Sequence, residues 1–437
     1  MSSNWRTFKL EEVGRIVTGK TPKGGVPEFD GNDVPFVTPP DFNGSKWISN
    51  SIRAISNAGA ESVKNSIIPS RSVLVTCIGS DMGKTAIARS RCVTNQQINS
   101  LIIDESRFSP EFIYYNLSLR KAEIRGLAGG SAQPILNKSA FGQISFCAPA
   151  LAEQLLIVEA LCPLDDRIAL LREANATLEA IAQALFKSWF VDFDPVHAKQ
   201  EGRAPEGMDE ATAALFPDAF EESGFGLVPR GWRYGTLADL ATYQNGYAFK
   251  TKDWQDFGHP VVKIGNVKPG VIDIAGASCV GSHVVDGLDR FGLKRGDLLV
   301  GMTGYVGETG LVPEIQPAAY LNQRVGRIAT KDGIADVGFV YCLVRNPSYK
   351  DHAEAKSHGS AQANVSGTDL MAFPTSIPSD DVLAVFNGML HPIVASILSN
   401  HERAETLATL RDTLLPRLIS GQLCLPEAEG QSEAIAA

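Results

Sequence analysis

The stretch that decides the fold of this protein is LAEQLLIVEALCPLDDRIALLREANATLEAIAQALFKSWFVDF, which occupies residues 151–193. Beyond Pro163 its apolar residues recur at alternating spacings of four and three, the heptad pattern of a helix that packs along one partner helix. This seam consists of Leu164, Ile168, Leu171, Asn175, Leu178, Ala182, Leu185 and Trp189. A seam this narrow requires a second helix.

The second helix lies 229 residues further along the same chain. The same spacing is followed by Leu390, Ile393, Ile397, Asn400, Ala404, Leu407, Arg411, Leu414 and Leu418. Pro163 recurs as Pro392. Because proline removes a backbone donor but is tolerated in the first turn of a helix, we expect each element to be a short helix, a break and a long helix.

The repeat extends well beyond the helices. The run VLVTCIG at 73–79 matches LLVGMTG at 298–304, and GSAQ at 130–133 returns unchanged at 359–362. A repeat this long indicates a duplicated domain and not a solenoid. We therefore predict an α+β protein in which two duplicated globular α+β domains are separated by an antiparallel two-helix coiled coil, with pseudo-two-fold symmetry.

The predicted organisation has six parts. They are a first globular domain at 1–149, a central helix at 150–193, a linker carrying a short helix at 194–231, a second globular domain at 232–378, a distal helix at 379–423 and a disordered acidic tail at 424–437. Antiparallel pairing of the helices aligns Ile168 with Leu407 and Asn175 with Asn400. A facing asparagine pair would specify the register at some cost in stability. A spacer of about 27 helical residues measures roughly 40 Å, slightly more than one turn of B-DNA.

Composition limits the class of protein. The net charge of −9 is unevenly distributed, with 17 basic against 12 acidic residues in 1–150 and 6 against 15 in 151–231. A local phosphate-binding face is therefore compatible with the negative total. No run of eighteen apolar residues is present and the first residues are polar, so we expect a cytoplasmic protein without a membrane span or signal peptide. The seven cysteines include no Cys-x-x-Cys pair, so we expect reduced thiols and no zinc site.

Two runs resemble catalytic motifs incompletely. GSDMGKT at 79–85 has three residues between its glycines where a phosphate-binding loop needs four, and its counterpart carries Glu308 in place of the lysine. TPPD at 38–41 is faintly similar to the Asn-Pro-Pro-aromatic loop of adenine methyltransferases but lacks the asparagine. The histidines show no metal-ligand spacing. We predict a strand-turn-strand corner at 79–85, and a chain with no catalytic residue, metal or cofactor of its own.

The two GSAQ runs are candidate nucleic-acid contacts. Each is either a plain turn before a helix or a loop whose glycine permits close approach and whose Ser and Gln contact phosphates or bases. The candidate DNA-binding residues are Lys20, Lys23, Lys84, Arg89, Arg91, Arg125, Ser131, Gln133, Lys138, Lys250, Lys252, Arg324, Lys356, His358, Ser360 and Gln362. Taken singly, a charged residue of this set is more often a solvated surface charge than a DNA contact, but the set as a whole, on two duplicated domains, favours phosphate contacts.

A second candidate surface lies on the helices. Phe186, Trp189, Phe190 and Phe193 cluster at the end of the central helix, where they form either a core against the second globular domain or a docking surface for another subunit. The residues assigned to the helix seam and subunit docking are Leu164, Ile168, Leu171, Asn175, Leu178, Leu185, Phe186, Trp189, Phe190, Ile393, Ile397, Asn400, Leu407 and Leu414.

Several runs resemble one family. LAEQ at 151–154, FKSWFVDF at 186–193, TLLPRLISG at 413–421 and DPVHA at 194–198 are similar to the specificity subunits of type I restriction-modification enzymes. The resemblance implies a non-catalytic subunit that binds double-stranded DNA and reads a bipartite asymmetric target, one domain per half-site. It also implies partners: two modification subunits that bind S-adenosylmethionine and methylate adenine, and motor-nuclease restriction subunits. Two alternatives stay open, a bivalent protein-binding scaffold with no DNA role and a stand-alone methyltransferase or nuclease.

Overall fold

Two 40-residue helices carry the heptad seams in the computed structural model of the protein, the central helix Leu151–Phe190 and the distal helix Asp380–Ile419. Both continue through their prolines, so the predicted breaks at Pro163 and Pro392 are wrong. A proline inside a helix forfeits a backbone hydrogen bond. Here the loss is tolerated because buried residues beside each proline, such as Leu161 and Leu390, pack the helix into a core.

The structure describes residues 5–128, 134–223, 226–331, 337–358 and 363–423. The chain forms two compact units: unit 1 contains Met1–Leu170 and Glu405–Ala437, and unit 2 contains Leu171–Ala404. Each long helix therefore contributes one half to each unit. The globular segments share their cores with these helix halves and do not pack apart from them.

The described part of unit 1 contains a five-stranded sheet, a four-stranded sheet and a strand pair. The five strands lie in the spatial order Gly14–Thr18, Ile98–Ile103, Val73–Thr76, Thr85–Ala88 and Trp47–Ile48. The four-stranded sheet has the order Arg53–Ile55, Asp30–Val37, Cys92–Thr94 and Ile67–Ile68, and the pair is Arg6–Lys9 with Ser145–Ala148. The shorter helices are Asn57–Ser62, Pro110–Ser118, Lys121–Gly126 and Lys138–Gly142, with 3-10 turns at Leu10–Glu12, Pro27–Phe29, Pro39–Asp41 and Lys64–Ser66.

The described part of unit 2 repeats this plan. Its five-stranded sheet has the order Ala241–Asn245, Val325–Thr330, Leu298–Gly301, Thr309–Leu311 and Gly270–Val271. Its four-stranded sheet has the order Trp254–Gln255, Cys279–Val280, His259–Val262 and Tyr320–Leu321, and its counterpart pair is Arg233–Thr236 with Pro374–Ile377. The shorter helices of its globular segment are Leu237–Leu240, Ser282–Val285, Gly338–Arg345, Pro347–Ala355 and Gly367–Met371, with 3-10 turns at Thr251–Asp253, Ile264–Asn266 and Asp289–Phe291.

In the five-stranded sheets the strand directions match between the two units. In both five-stranded sheets the first four strands pair antiparallel and the last strand pairs parallel. The parallel edge strands are Trp47–Ile48 in unit 1 and Gly270–Val271 in unit 2. The prediction of two duplicated α+β domains is confirmed.

The segment expected to be a linker is folded within unit 2. It contains the helices Asp194–Gln200 and Glu210–Ala214 and a hairpin of Phe220–Ser223 with Gly226–Pro229. Val196 and Phe216 of this segment are buried in the core of the unit. Hydrophobic burial therefore ties the segment to the unit, although its acidic composition is typical of a linker.

The helices pair antiparallel in the predicted register. In unit 2 the side-chain amide of Asn400 donates to Asn175 Oδ1 at 3.0 Å, and Asn175 Nδ2 donates to the carbonyl of Ile397 at 2.9 Å. In unit 1, Arg411 Nη1 lies 2.8 Å from Asp165 Oδ1, which follows the same register. The facing of Asn175 and Asn400 is therefore confirmed, and Arg411 finds a carboxylate at the end of the seam.

Candidate nucleic-acid interface

In unit 2 a polar cavity lies beside the turn that follows the strand Leu298–Gly301. Its volume is about 410 Å³, and it is lined by Met302, Thr303, Gln323, Arg324 and Asn364. Three parts of the chain meet there, since Thr303 and Asn364 form an antiparallel bridge and Gln323 follows the strand Tyr320–Leu321. The cavity therefore gathers amide, hydroxyl and guanidinium groups, the types that contact phosphates and base edges.

Glycines fix the turn beside this cavity. Gly304 and Gly307 have φ values of 76° and 74°, a backbone conformation that residues other than glycine rarely adopt. Gly304 N–H donates to Ala363 O at 3.0 Å, and the amide of Val365 donates to Met302 O at 2.9 Å. These two bonds hold the chain on either side of the bridge, so the positions of Thr303 and Asn364 are set by backbone geometry.

Asn364 is anchored by three further bonds. Its backbone amide donates to His358 O at 3.0 Å and its carbonyl accepts from His358 N–H at 2.8 Å. The hydroxyl of Thr303 donates to its side-chain Oδ1 at 2.7 Å. Oδ1 keeps a second lone pair, and the amide nitrogen makes no hydrogen bond to another described residue. Asn364 itself is exposed, so its side chain is accessible from solvent.

Unit 1 has the same backbone arrangement with different side chains. Ile78 and Ile135 form the corresponding bridge, Gly79 N–H donates to Pro134 O at 3.2 Å, and Leu136 N–H donates to Cys77 O at 2.9 Å. Gly79 and Gly83 have φ values of 88° and 87°. The equivalent surface is thus apolar at the bridge, and Ile135 is 47% exposed.

The run GSDMGKT forms the predicted strand-turn-strand corner. It connects the antiparallel strands Val73–Thr76 and Thr85–Ala88, and no helix follows it to complete a phosphate-binding loop. Lys84 is half-buried and its ammonium lies 3.0 Å from Asp81. The TPPD run is also structural, since the Asp41 carboxylate accepts the amides of Thr38 and Ile52 at 2.7 Å.

The structure places the predicted cations of unit 1 mainly on the surface. Exposed residues there are Lys20, Lys23, Arg89, Arg91, Arg125 and Lys138. Two of them have partners: Arg91 lies 3.3 Å from Glu61, and the Arg89 guanidinium lies over the Trp47 ring at 5.2 Å. In unit 2 the exposed predicted residues are Lys250, Lys252, Arg324, Lys356 and His358. The predicted contacts Ser131, Gln133, Ser360 and Gln362 lie outside the described residues.

Among the predicted DNA-binding residues that the structure describes, Arg324 alone lines the cavity of unit 2. Thr303, Gln323 and Asn364 were not predicted, although the repeat contains the necessary signal. Aligning the two copies matches Thr303 with Ile78 and Asn364 with Ile135, so a polar pair replaces an apolar pair on an otherwise similar frame. Positions that differ in chemistry while the surrounding glycines stay the same are the ones to examine for specificity.

An aromatic residue and two lysines extend this region of unit 2. Tyr305, in the glycine turn, is 59% exposed, and Lys268 Nζ lies 5.7 Å from its ring. Lys263 Nζ lies 3.6 Å from the Trp254 ring and donates to Ser278 Oγ at 2.9 Å. Burial lowers the pKa of Lys263. Lys263 is therefore a packed structural cation, whereas Tyr305 and Lys268 are available to a ligand.

The helix seam is occupied within the units. Ile168, Leu171, Ile397 and Leu414 are buried, and Leu164, Leu178, Leu185, Ile393 and Leu407 are half-buried. Phe186, Trp189 and Phe190 are at most 5% exposed and pack with Phe339 and Phe386 in the core of unit 2. They are not accessible, so the docking alternative for this cluster is wrong. Large apolar side chains that remain exposed on the central helix are Leu155, Leu156, Leu170 and Ile181.

One helix among the described residues is long and apolar enough to cross a membrane. It is the distal helix, whose most apolar window has a mean hydropathy of 1.7. Its apolar residues Val382, Phe386, Leu390 and Ile397 are buried against unit 2. We therefore interpret it as a packed helix. No cluster of three or more potential metal ligands occurs in the described ranges.

Comparison with known proteins defines the class. The model of the type I restriction modification DNA specificity domain matches residues 2–180 and 229–413, one match for each copy of the repeat. The chain therefore belongs to the family of type I restriction-modification DNA specificity proteins. Its role is to provide target specificity on DNA within a restriction-modification system.

Similar proteins extend over almost the whole chain. The chain is 24% identical to the type I restriction enzyme MjaIX specificity subunit of Methanocaldococcus jannaschii, over 97% of this chain and 94% of that protein. It is also 24% identical to the HindI specificity subunit of Haemophilus influenzae, over 96% and 100% of the two chains. A crystal structure of the type I restriction-modification S subunit from M. genitalium aligns with a TM-score of 0.57 at 16% identity, covering 96% and 97% of the chains. This last likeness shows the shared fold.

Proposed function

We propose that this protein reads a bipartite, asymmetric DNA target for a type I restriction-modification complex, with one half-site for each globular segment. The observation that carries the proposal is the pair of bridges Ile78–Ile135 and Thr303–Asn364, which occupy the same place in the same fold with different side chains. The same backbone arrangement with an apolar bridge in one unit and a polar bridge in the other is suited to contact two half-sites of different sequence. The exposed cations of each globular segment supply phosphate contacts that are independent of sequence.

The paired helices act as the spacer between the half-sites and as the docking platform for two modification subunits. The apolar side chains Leu155, Leu156, Leu170 and Ile181 support the docking role, since each is about half exposed on a helix whose other face is buried. Large exposed apolar residues on one element are typical of a protein interface. Motor-nuclease restriction subunits would complete the complex.

The chain itself acts without catalysis and without a cofactor in this proposal. S-adenosylmethionine binds to the partner modification subunit, which methylates adenine. The motifs that resembled catalytic loops support this division, because 79–85 is a corner between strands and Asp41 is engaged by backbone amides. The complex would work in the cytoplasm, where its DNA is.

The decisive experiment maps methylated adenines in cells that carry or lack this gene together with the modification subunit. We expect a bipartite, non-palindromic motif that disappears with the gene. Exchange of residues 5–148 for the same segment of a relative with a different target should change one half of the motif. A change in both halves, or no motif that depends on the gene, would overturn the proposal.

A binding measurement separates this function from a protein-binding scaffold. The net charge of −9 favours a scaffold at first sight. A DNA-binding chain must nevertheless show an affinity for duplex DNA that falls steeply with salt, because phosphate contacts release counterions. Filter binding of the full chain with its modification subunits at several salt concentrations gives this slope. A flat dependence would favour the scaffold.

A further inference from the structure

The bridge position that follows each GSAQ run is polar in unit 2 and apolar in unit 1, and each of these side chains complements a different group on the edge of a base. Asn364 lies two residues beyond Gln362, and Ile135 lies two residues beyond Gln133. We infer that Asn364 reads an adenine in the half-site of unit 2 and that Ile135 contacts a thymine methyl in the half-site of unit 1. This inference rests on the proposed function and names the base-reading position within it.

The position is equivalent in the two units by structure as well as by sequence. In each unit the bridge partner comes directly before the first glycine of the turn, as Ile78 precedes Gly79 and Thr303 precedes Gly304. That glycine donates to the carbonyl of the residue just before the bridge position, Pro134 or Ala363. The backbone of both bridge positions is therefore held in the same way, and only the side chains differ.

The side chain of Asn364 has the donor and acceptor that adenine requires. In the major groove adenine presents the N7 acceptor and the N6 donor, and Asn pairs with both at once. Nδ2 of Asn364 is available to donate to N7, and Oδ1 has a second lone pair to accept from N6 beside its bond from Thr303. The threonine hydroxyl also holds the amide plane, which reduces the entropy lost on binding.

The surroundings of Asn364 suit a base edge. The cavity of about 410 Å³ on which it borders is also lined by Gln323 and Arg324, which can contact neighbouring bases or phosphates. Tyr305 lies in the glycine turn that follows Thr303, and Lys268 Nζ lies 5.7 Å from its ring, so an aromatic face and a positive charge are exposed together there. The site is open enough to admit a groove edge and polar enough to distinguish it.

Ile135 offers the complementary chemistry. It is 47% exposed beside Ile78, and neither side chain carries a donor or an acceptor. Among the four base pairs the T methyl group is the major-groove feature read by apolar contact. An apolar bridge in unit 1 therefore favours thymine at the position where unit 2 favours adenine.

Reciprocal variants of the full chain test the inference. Thr303→Ile with Asn364→Ile gives unit 2 the apolar bridge, and Ile78→Thr with Ile135→Asn gives unit 1 the polar bridge. Each pair is changed together so that no hydroxyl loses its partner. The variants are assembled with the modification subunits, and bound duplexes are selected from a random library and sequenced.

The expected result is a change at one base position in one half-site. The unit 2 variant should lose roughly 5- to 150-fold in preference for adenine at that position, the range for one bidentate pair. The unit 1 variant should lose its preference for thymine at one position. The half-site of the unaltered unit serves as an internal control for folding in each case.

Three outcomes would overturn the inference while the proposed function stands. They are an unchanged motif, a uniform weakening of the whole altered half-site, and a wild-type half-site of unit 2 without an adenine. A uniform weakening would show that the bridge supports the fold or contacts phosphate. A wild-type complex that selects no bipartite motif would instead refute the proposed function.

Discussion

The asparagine pair of unit 2 makes an asymmetric prediction about stability. Asn175→Leu removes two hydrogen bonds, the 3.0 Å bond from Asn400 and the 2.9 Å bond to Ile397 O, and leaves the Asn400 amide without its partner. Asn400→Leu removes only the first and leaves Asn175 bonded to the backbone. Each bond contributes about 0.5–1.5 kcal/mol, and a buried polar group left unpaired costs about 1–3 kcal/mol.

These values lead to an order of effects. Both asparagines are half-buried, so the lower parts of the ranges apply. We expect Asn175→Leu to cost about 2 kcal/mol and Asn400→Leu about 1 kcal/mol, and the double variant to cost less than the two together because an apolar pair leaves nothing unpaired. The double variant loses the polar layer that specifies the register.

Hydrogen exchange of the full chain measures the effect where it occurs. Peptides from 171–190 report the opening free energy of the helix half in unit 2, which avoids treating a two-unit chain as one transition. Peptides from unit 1 are the control and should keep their protection. Equal costs for the two single variants, or costs that simply add in the double variant, would refute the reasoning.

Three other predictions follow from particular contacts. Arg345 forms salt bridges with Glu179 at 3.0 Å and with Glu308 at 3.4 Å. Arg345→Met should therefore lower the unfolding free energy of unit 2 by about 1–3 kcal/mol in the same hydrogen-exchange assay. A loss of protection confined to unit 1 would contradict this prediction. Cys77 and Cys92 are buried, and desolvation raises the pKa of their thiols to about 11 and about 12, whereas Cys147 is exposed. Alkylation at pH 8 followed by peptide mapping should therefore modify Cys147 long before the other two. Equal rates of alkylation would contradict the burial of Cys77 and Cys92. Burial raises the pKa of the Glu402 carboxyl, but hydrogen bonds from Arg295 and from the Glu314 amide outweigh burial and lower this pKa overall. The carboxylate therefore stabilises the fold at neutral pH, and this stabilisation is lost as the pH falls below the ordinary glutamate pKa of about 4.3 and through the lowered pKa of the folded state. The difference in stability between wild type and Arg295→Met should shrink over that range, and a difference that grows in acid would refute the assignment.

The heptad spacing was sufficient to predict the helices and their register, because a seam with one asparagine on each helix has one alignment that pairs the two polar residues. The same spacing could not show that the helices continue through Pro163 and Pro392. That outcome depends on packing around Leu161 and Leu390, which are buried by contacts distant in sequence. The sequence shows that a proline removes a backbone hydrogen bond from the helix, but only the tertiary structure shows whether buried apolar residues compensate for that loss.

The candidate site was harder to predict for a related reason. Positive charge is readable in the sequence, and most predicted cations are indeed exposed, but exposure alone does not separate a DNA contact from a solvated lysine. The cavity in unit 2 is assembled from three segments far apart in the chain. Thr303 and Asn364 become neighbours only through a bridge between them. No spacing rule relates Thr303 to Asn364 in the sequence. The distribution of charge therefore indicated that the globular segments bind DNA, but it did not identify these two residues.

The comparison of the two units separates the glycines that build the turn from the exposed side chains that differ between the units. Gly79 and Gly304 are the same residue type in the same left-handed conformation, and each donates to the chain beside the bridge. Substituting either would strain a turn whatever the DNA sequence. Ile135 and Asn364, by contrast, are exposed and tolerate different chemistry at the same backbone position. Under the inference that these two positions read bases, a duplicated domain acquires a second target by changing a few exposed side chains while the glycines of the turn stay in place.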